Sequence, residues 1–137
     1  MLSSVGECRT SNKKPMRNQA EDHLQKAAMR YIRLQYPGAI SFHVANEGIS
    51  GKKGKAYGAK MKAKGVLSGC PDIHILEPAG IYCGLFIELK TPKGRVQPSQ
   101  QDFIEKLRAK GYMAEVCRSF DEVVALVDGY MKGNLSL

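Results

Sequence analysis

The sequence predicts an α/β domain: a mixed four-stranded β-sheet flanked by helices, in the order αβββαβ with a further C-terminal helix. Three observations predict it. Stretches with apolar residues at helical spacing alternate with short β-branched and aromatic runs. Glu77-Pro78-Ala79-Gly80 separates two of those runs as a turn, which makes them an antiparallel hairpin. A helix opening at Pro98 lies between the second of them and a later strand, and such a crossover joins parallel neighbours.

The elements follow in order. Ala20, Leu24, Ala27, Ala28, Tyr31 and Leu34 give residues 17–36 a helical apolar stripe, which Pro37-Gly38 ends. Residues 39–45 read as a strand. Residues 46–70 hold six glycines and six lysines, with no acid between Glu47 and Asp72, and read as a long basic loop. Residues 73–76 and 83–89 form the hairpin strands. Pro98 suits the first turn of a helix running to Lys110, with Phe103, Ile104 and Leu107 inward and Gly111 as its stop. Residues 112–117 make the fourth strand, and Ser119 with Glu122 caps a last helix whose buried stripe is Val123, Val127 and Tyr130. Residues 1–16 read as a flexible polar lead, 17–132 as one domain and 133–137 as a tail.

Composition narrows the class of function. Lys plus Arg number 21 against 13 acids, a formal charge of +8, and a basic protein of this size commonly meets a polyanion. No apolar run approaches the roughly 20 residues that span a bilayer, and the glycine-rich basic segment has no apolar face to lie on one. Cys8, Cys70, Cys83 and Cys117 lack the close pairing of a zinc site and read as reduced thiols, Cys83 and Cys117 in apolar strands. The expected location is the cytoplasm, or the nucleus if the source is eukaryotic.

The hairpin gathers chemistry. Asp72 begins one strand and Glu88 ends the next, so antiparallel pairing makes them neighbours. Glu88 and Lys90 share a face, while Leu89 turns inward and leaves its carbonyl at the strand end. Two carboxylates and a carbonyl are hard oxygen ligands suited to Mg²⁺ or Mn²⁺. Such an ion polarises a phosphoryl oxygen and lowers the pKa of bound water, and Lys90 offsets charge growing on the phosphorus.

These residues resemble a known family. Pro71-Asp72 followed by Glu88-Leu89-Lys90 matches the PD-(D/E)xK nuclease pattern. Asn46-Glu47-Gly48, Gly69-Cys70-Pro71-Asp72, residues 86–91, Gln100 and Gly111-Tyr112 together look like the VRR-NUC domain, over roughly residues 17–132. The resemblance implies a restriction-endonuclease-like PD-(D/E)xK core and a Mg²⁺-dependent DNA endonuclease, with Mn²⁺ substituting. It further implies a stand-alone phage or bacterial type, acting as a homodimer on branched DNA such as Holliday junctions and leaving 5′-phosphate and 3′-hydroxyl ends. By that pattern Glu21 joins Asp72, Glu88 and the Leu89 carbonyl at the metal, and Gln100 supports the site, although Gln97 stands where the pattern has serine.

Several residues keep two readings. Glu21 is a metal ligand or a solvated acid near the helix start. Gln100 faces inward, as a catalytic amide or a structural hydrogen-bonding group. Lys52, Lys53, Lys55, Lys60, Lys62 and Lys64 contact DNA phosphates or solubilise a linker, and the lack of acids among them favours phosphate. Tyr57 stacks on a base or packs on the sheet. His43 and Asn46 are substrate contacts by proximity, and His74 is a core or substrate-facing residue. Flap or nicked DNA competes with the junction as substrate, and a non-catalytic nucleic-acid-binding module competes with the enzyme.

Overall fold

The computed structural model describes residues 16–45 and 54–133, with side chains from residue 19 onward. Cys8, Asn46, Glu47, Gly48, Lys52 and Lys53 lie outside the described residues, as do nearly all of the expected lead and tail. The elements are α1 (Met16–Gln35), β1 (Ser41–His43), α2 (Gly54–Ala63), β2 (Ile73–Ile75), β3 (Leu85–Leu89), α3 (Pro98–Ala109), β4 (Met113–Cys117) and α4 (Phe120–Lys132).

The strands lie in the order β1-β2-β3-β4. The first two pairings are antiparallel, and β3 pairs with β4 in parallel, as the α3 crossover requires. One face of the sheet carries Ile73, Ile75, Leu85, Ile87 and Leu89 against Ala28, Met29 and Ile32 of α1 and Val123, Val127 and Tyr130 of α4. The other face puts Phe86 and Ala114 against Ile104 of α3. All of β3 is therefore covered on both sides, which is why it reads Leu-Phe-Ile-Glu-Leu with a single polar residue. Leu34 is 68% exposed, so the buried stripe of α1 passes through Met29 and Ile32 rather than reaching Leu34. Cys83 is also exposed, at the turn before β3 rather than in an apolar strand.

Residues 54–63 correct the expectation of a loop through 46–70: they form the helix α2. Alanine, lysine and methionine between the glycines are good helix formers. Gly65, at φ +97°, ends α2: its N–H donates to the Lys62 carbonyl and the Val66 N–H to the Met61 carbonyl. That pairing closes a helix through one left-handed residue, which glycine adopts without a Cβ clash.

The first and last described helices are tied side by side. The hydroxyls of Tyr31 and Tyr36 on α1 each donate to the Asp128 carboxylate on α4, both at 2.6 Å. Those bonds hold the Asp128 carboxyl below the usual carboxylate range.

Candidate active site

The β2–β3 ladder sets Ile73 opposite Ile87, so one step further along places Asp72 opposite Glu88, and a second step places Pro71 opposite Leu89. The Lys90 N–H donates across to the Cys117 carbonyl of β4, so the preceding Leu89 amide and carbonyl point to the β2 side. There the Leu89 N–H donates to Asp72 Oδ2 at 2.8 Å. Pro71 has no N–H to return to the Leu89 carbonyl. The proline thus breaks the ladder where a backbone oxygen is left beside two carboxylates.

Glu88 is 2% exposed, the one charged side chain among the buried residues described. Its Oε1 accepts from Gln100 Nε2 at 2.7 Å and lies 3.4 Å from Lys90 Nζ. Its Oε2 is buried with no hydrogen-bond partner. Gln100 is fixed at its other end, where its Oε1 accepts from the Gln97 N–H at 2.9 Å. The start of α3 and the end of β3 are joined through that one amide.

Burial lifts the Glu88 carboxyl to about 8, with repulsion from Asp72 adding to it and Lys90 opposing it. Burial also raises Asp72, against the Leu89 N–H, His43 and Lys90. The charge of Glu21, half-buried on α1, pushes both carboxyls further up. Two neighbouring acids that resist ionisation, one with an orphaned buried oxygen, form a place short of positive charge. The hard-oxygen donors Asp72, Glu88 and the Leu89 carbonyl fit a small divalent cation, and the charge of Glu21 on α1 is felt by both carboxyls. Among the described residues no three His, Cys, Asp or Glu side chains are gathered closely enough to hold an ion by themselves.

A pH dependence follows. Folded Glu88 keeps its proton at pH values where the unfolded glutamate has released it, so the stability this group contributes is fully present below the ordinary glutamate range and is lost as pH rises toward 8. In EDTA the thermal midpoint is expected to drop between about pH 5 and pH 8, and Glu88→Gln to flatten that drop. Added Mg²⁺ should raise the midpoint at the higher pH and much less at the lower, where protons compete for the same oxygens. Equal stabilisation at both ends, followed by differential scanning fluorimetry, would count against a cation here.

The other residues singled out by sequence fall as follows. His43 ends β1, and its Nδ1 bonds the Asp72 carbonyl at 2.8 Å. His74 bonds the Pro71 carbonyl through Nε2 and stacks between Phe42 and Phe86, while burial lowers its pKa. Cys70 lies 3.3 Å from that Nε2, its thiol pushed up to about 11 chiefly by burial, which suits packing rather than nucleophilic chemistry. Lys55, Lys60 and Lys62 are exposed on α2, Lys64 just beyond it, and Tyr57 is half-buried on the same helix. Sequence reasoning passed over Arg118, whose guanidinium donates to the Thr91 and Gly94 carbonyls at 3.0 and 2.6 Å and pins the loop after Lys90. A lone arginine after a strand carries no signal of that contact.

The profile of the VRR-NUC domain matches residues 18–121. A solved structure described as a VRR-NUC domain protein is 29% identical, with 82% of this chain and 88% of that one covered, at a TM-score of 0.66. Another, described as a VRR-NUC domain, is 25% identical, with coverages of 80% and 96% and a TM-score of 0.53. No curated protein matches.

Proposed function

We propose, from the premise that this chain belongs to the VRR-NUC family and is a nuclease-type domain, that it is a Mg²⁺-dependent endonuclease hydrolysing DNA phosphodiesters. The observation that carries the reading is the buried Asp72–Glu88 pair with the unpartnered Glu88 Oε2. Asp72, Glu88, the Leu89 carbonyl and Glu21 are the groups that would hold the ion, with Mn²⁺ a substitute for Mg²⁺. When bound, a hard divalent cation polarises a phosphoryl oxygen and lowers the pKa of water.

The chain's own residues do the rest. Gln100 holds Glu88 in one orientation, and Pro71 keeps the Leu89 carbonyl out of the ladder. Lys90, kept beside Glu88, supplies positive charge as negative charge develops on the phosphoryl oxygens. Water attacks the phosphorus in line with the 3′ oxygen; a P–O bond to the water oxygen forms as the P–O3′ bond breaks, and the proton released by the water balances the one taken up by the 3′ oxygen, leaving 5′-phosphate and 3′-hydroxyl ends. His43 and the lysines of and around α2 meet the DNA backbone, and Tyr57 stacks on an exposed base. The substrate is branched DNA such as a Holliday junction, cut by a homodimer whose two-fold axis matches that of the junction. The setting is the cytoplasm of a bacterial or phage-infected cell.

The test is a panel of four-way junction, flap, nicked, linear duplex and single-stranded DNA, incubated with Mg²⁺ or with EDTA. Junction cleavage only with Mg²⁺, giving nicks that a ligase reseals, is the expected result. Preference for flap or nicked DNA moves the substrate assignment. Binding with no cleavage of any member leaves a non-catalytic binding module. Light scattering checks the dimer.

A further inference from the structure

The exposed side of α1 carries Lys26, Arg30 and Arg33 at positions i, i+4 and i+7, hence along one stripe of the helix. With Gln25, Met29, Leu34 and His43 they line a groove of about 560 Å³. No acid lines it. Among the described residues none of the three cations has a side-chain hydrogen bond or ion pair, unlike Lys90, Lys106, Arg108, Arg118 and Lys132. His43, one of the residues lining it, is bonded through its ring to the backbone carbonyl of Asp72, which ties one wall of the groove to the residue that carries one of the two carboxylates.

We infer that this groove on α1 is a phosphate track, binding the DNA backbone that flanks the scissile phosphate, in addition to the lysines of α2. The inference rests on the nuclease reading for its choice of DNA as the polyanion. Charge complementarity carries it: unpaired guanidinium groups at a concave wall bind successive phosphates, each through two donors. Leu34, which is exposed, gives that wall apolar surface for the sugar edge. The track would set the direction in which a strand enters the site.

The experiment is fluorescence anisotropy of a labelled linear duplex in EDTA, across a salt series, with full-length protein. Arg30→Gln/Arg33→Gln should weaken binding by roughly 10- to 100-fold near 0.1 M salt and lower the slope of log K against log salt by about 2. Arg30→Lys/Arg33→Lys should keep most of that slope. The charge-matched pair Lys106→Ala/Lys110→Ala, on α3 and at its C-terminal cap, should keep both affinity and slope. The inference is overturned if the slope is unchanged in Arg30→Gln/Arg33→Gln, or if the α3 pair lowers it equally. It is also overturned if Arg30→Gln/Arg33→Gln turns a dimer into a monomer without DNA, because a second copy then covers the groove. Wild-type protein that binds with the expected slope but cleaves nothing sinks the nuclease reading and leaves the track standing.

Discussion

Asp72→Asn is expected to lower DNA cleavage by a factor on the order of 10³, while fold and DNA binding stay near wild type. The asparagine oxygen still accepts the Leu89 N–H that Asp72 Oδ2 accepts at 2.8 Å, so the strand end keeps its geometry. What disappears is one of two crowded negative charges. Repulsion from Asp72 helps hold Glu88 at about 8, so the variant's Glu88 ionises at lower pH. In EDTA near pH 8 the variant should therefore melt no lower than wild type, and Mg²⁺ should no longer raise its midpoint. A surface ion pair would behave differently, losing little activity when broken. Cleavage at the wild-type rate would remove Asp72 from the chemistry. Binding to junction DNA, measured in EDTA, should hold or tighten slightly with one negative charge fewer.

Gly69→Ala is expected to lower stability by about 2–4 kcal/mol and to cut activity at least tenfold, although residue 69 has no reactive group. Gly69 sits at φ +80°, and a Cβ there would lie 2.5 Å from the Ser99 carbonyl oxygen and 2.9 Å from the Gln100 nitrogen. Both are backbone atoms in the first turn of α3, so no rotamer change relieves the clash. The start of α3 must move, and Gln100, which bonds Glu88 at 2.7 Å, moves with it. Gly133→Ala is the control. Its φ is +70° with open space around the added carbon, so it bears only the backbone penalty of about 1 kcal/mol. Urea unfolding and a cleavage assay separate the two. A Gly69→Ala protein as stable and active as Gly133→Ala would mean that the approach of residue 69 to α3 is not constraining.

The elements were readable where local chemistry and packing agreed. Pro98, Gly111 and the Ser119–Glu122 cap mark helix ends, and α3 and α4 stand where they place them. The neighbouring positions of Asp72 and Glu88 followed from a hairpin turn and a two-residue period, which sequence exposes directly. The helix α2 did not, because Gly54 and Gly58, set among the other glycines of residues 46–70, weigh as loop residues and outweigh the good helix formers around them. The Gln100–Glu88 bond was half legible: periodicity turned Gln100 inward, but its partner depends on where α3 docks. Contacts such as those of Arg118 and Gly69 arise from tertiary approach, and no spacing in the chain encodes them.

The tyrosine–aspartate tie between α1 and α4 bears on when the molecule becomes itself. Tyr31 and Asp128 are 97 positions apart, and both helices pack on the same side of the sheet. A ribosome must deliver almost the whole domain before that layer closes, and closing a loop of this length precedes any reward from its contacts. Until then, apolar residues of α1 such as Ile32 lack their α4 neighbours. The nascent chain is therefore expected to remain open until α4 has emerged.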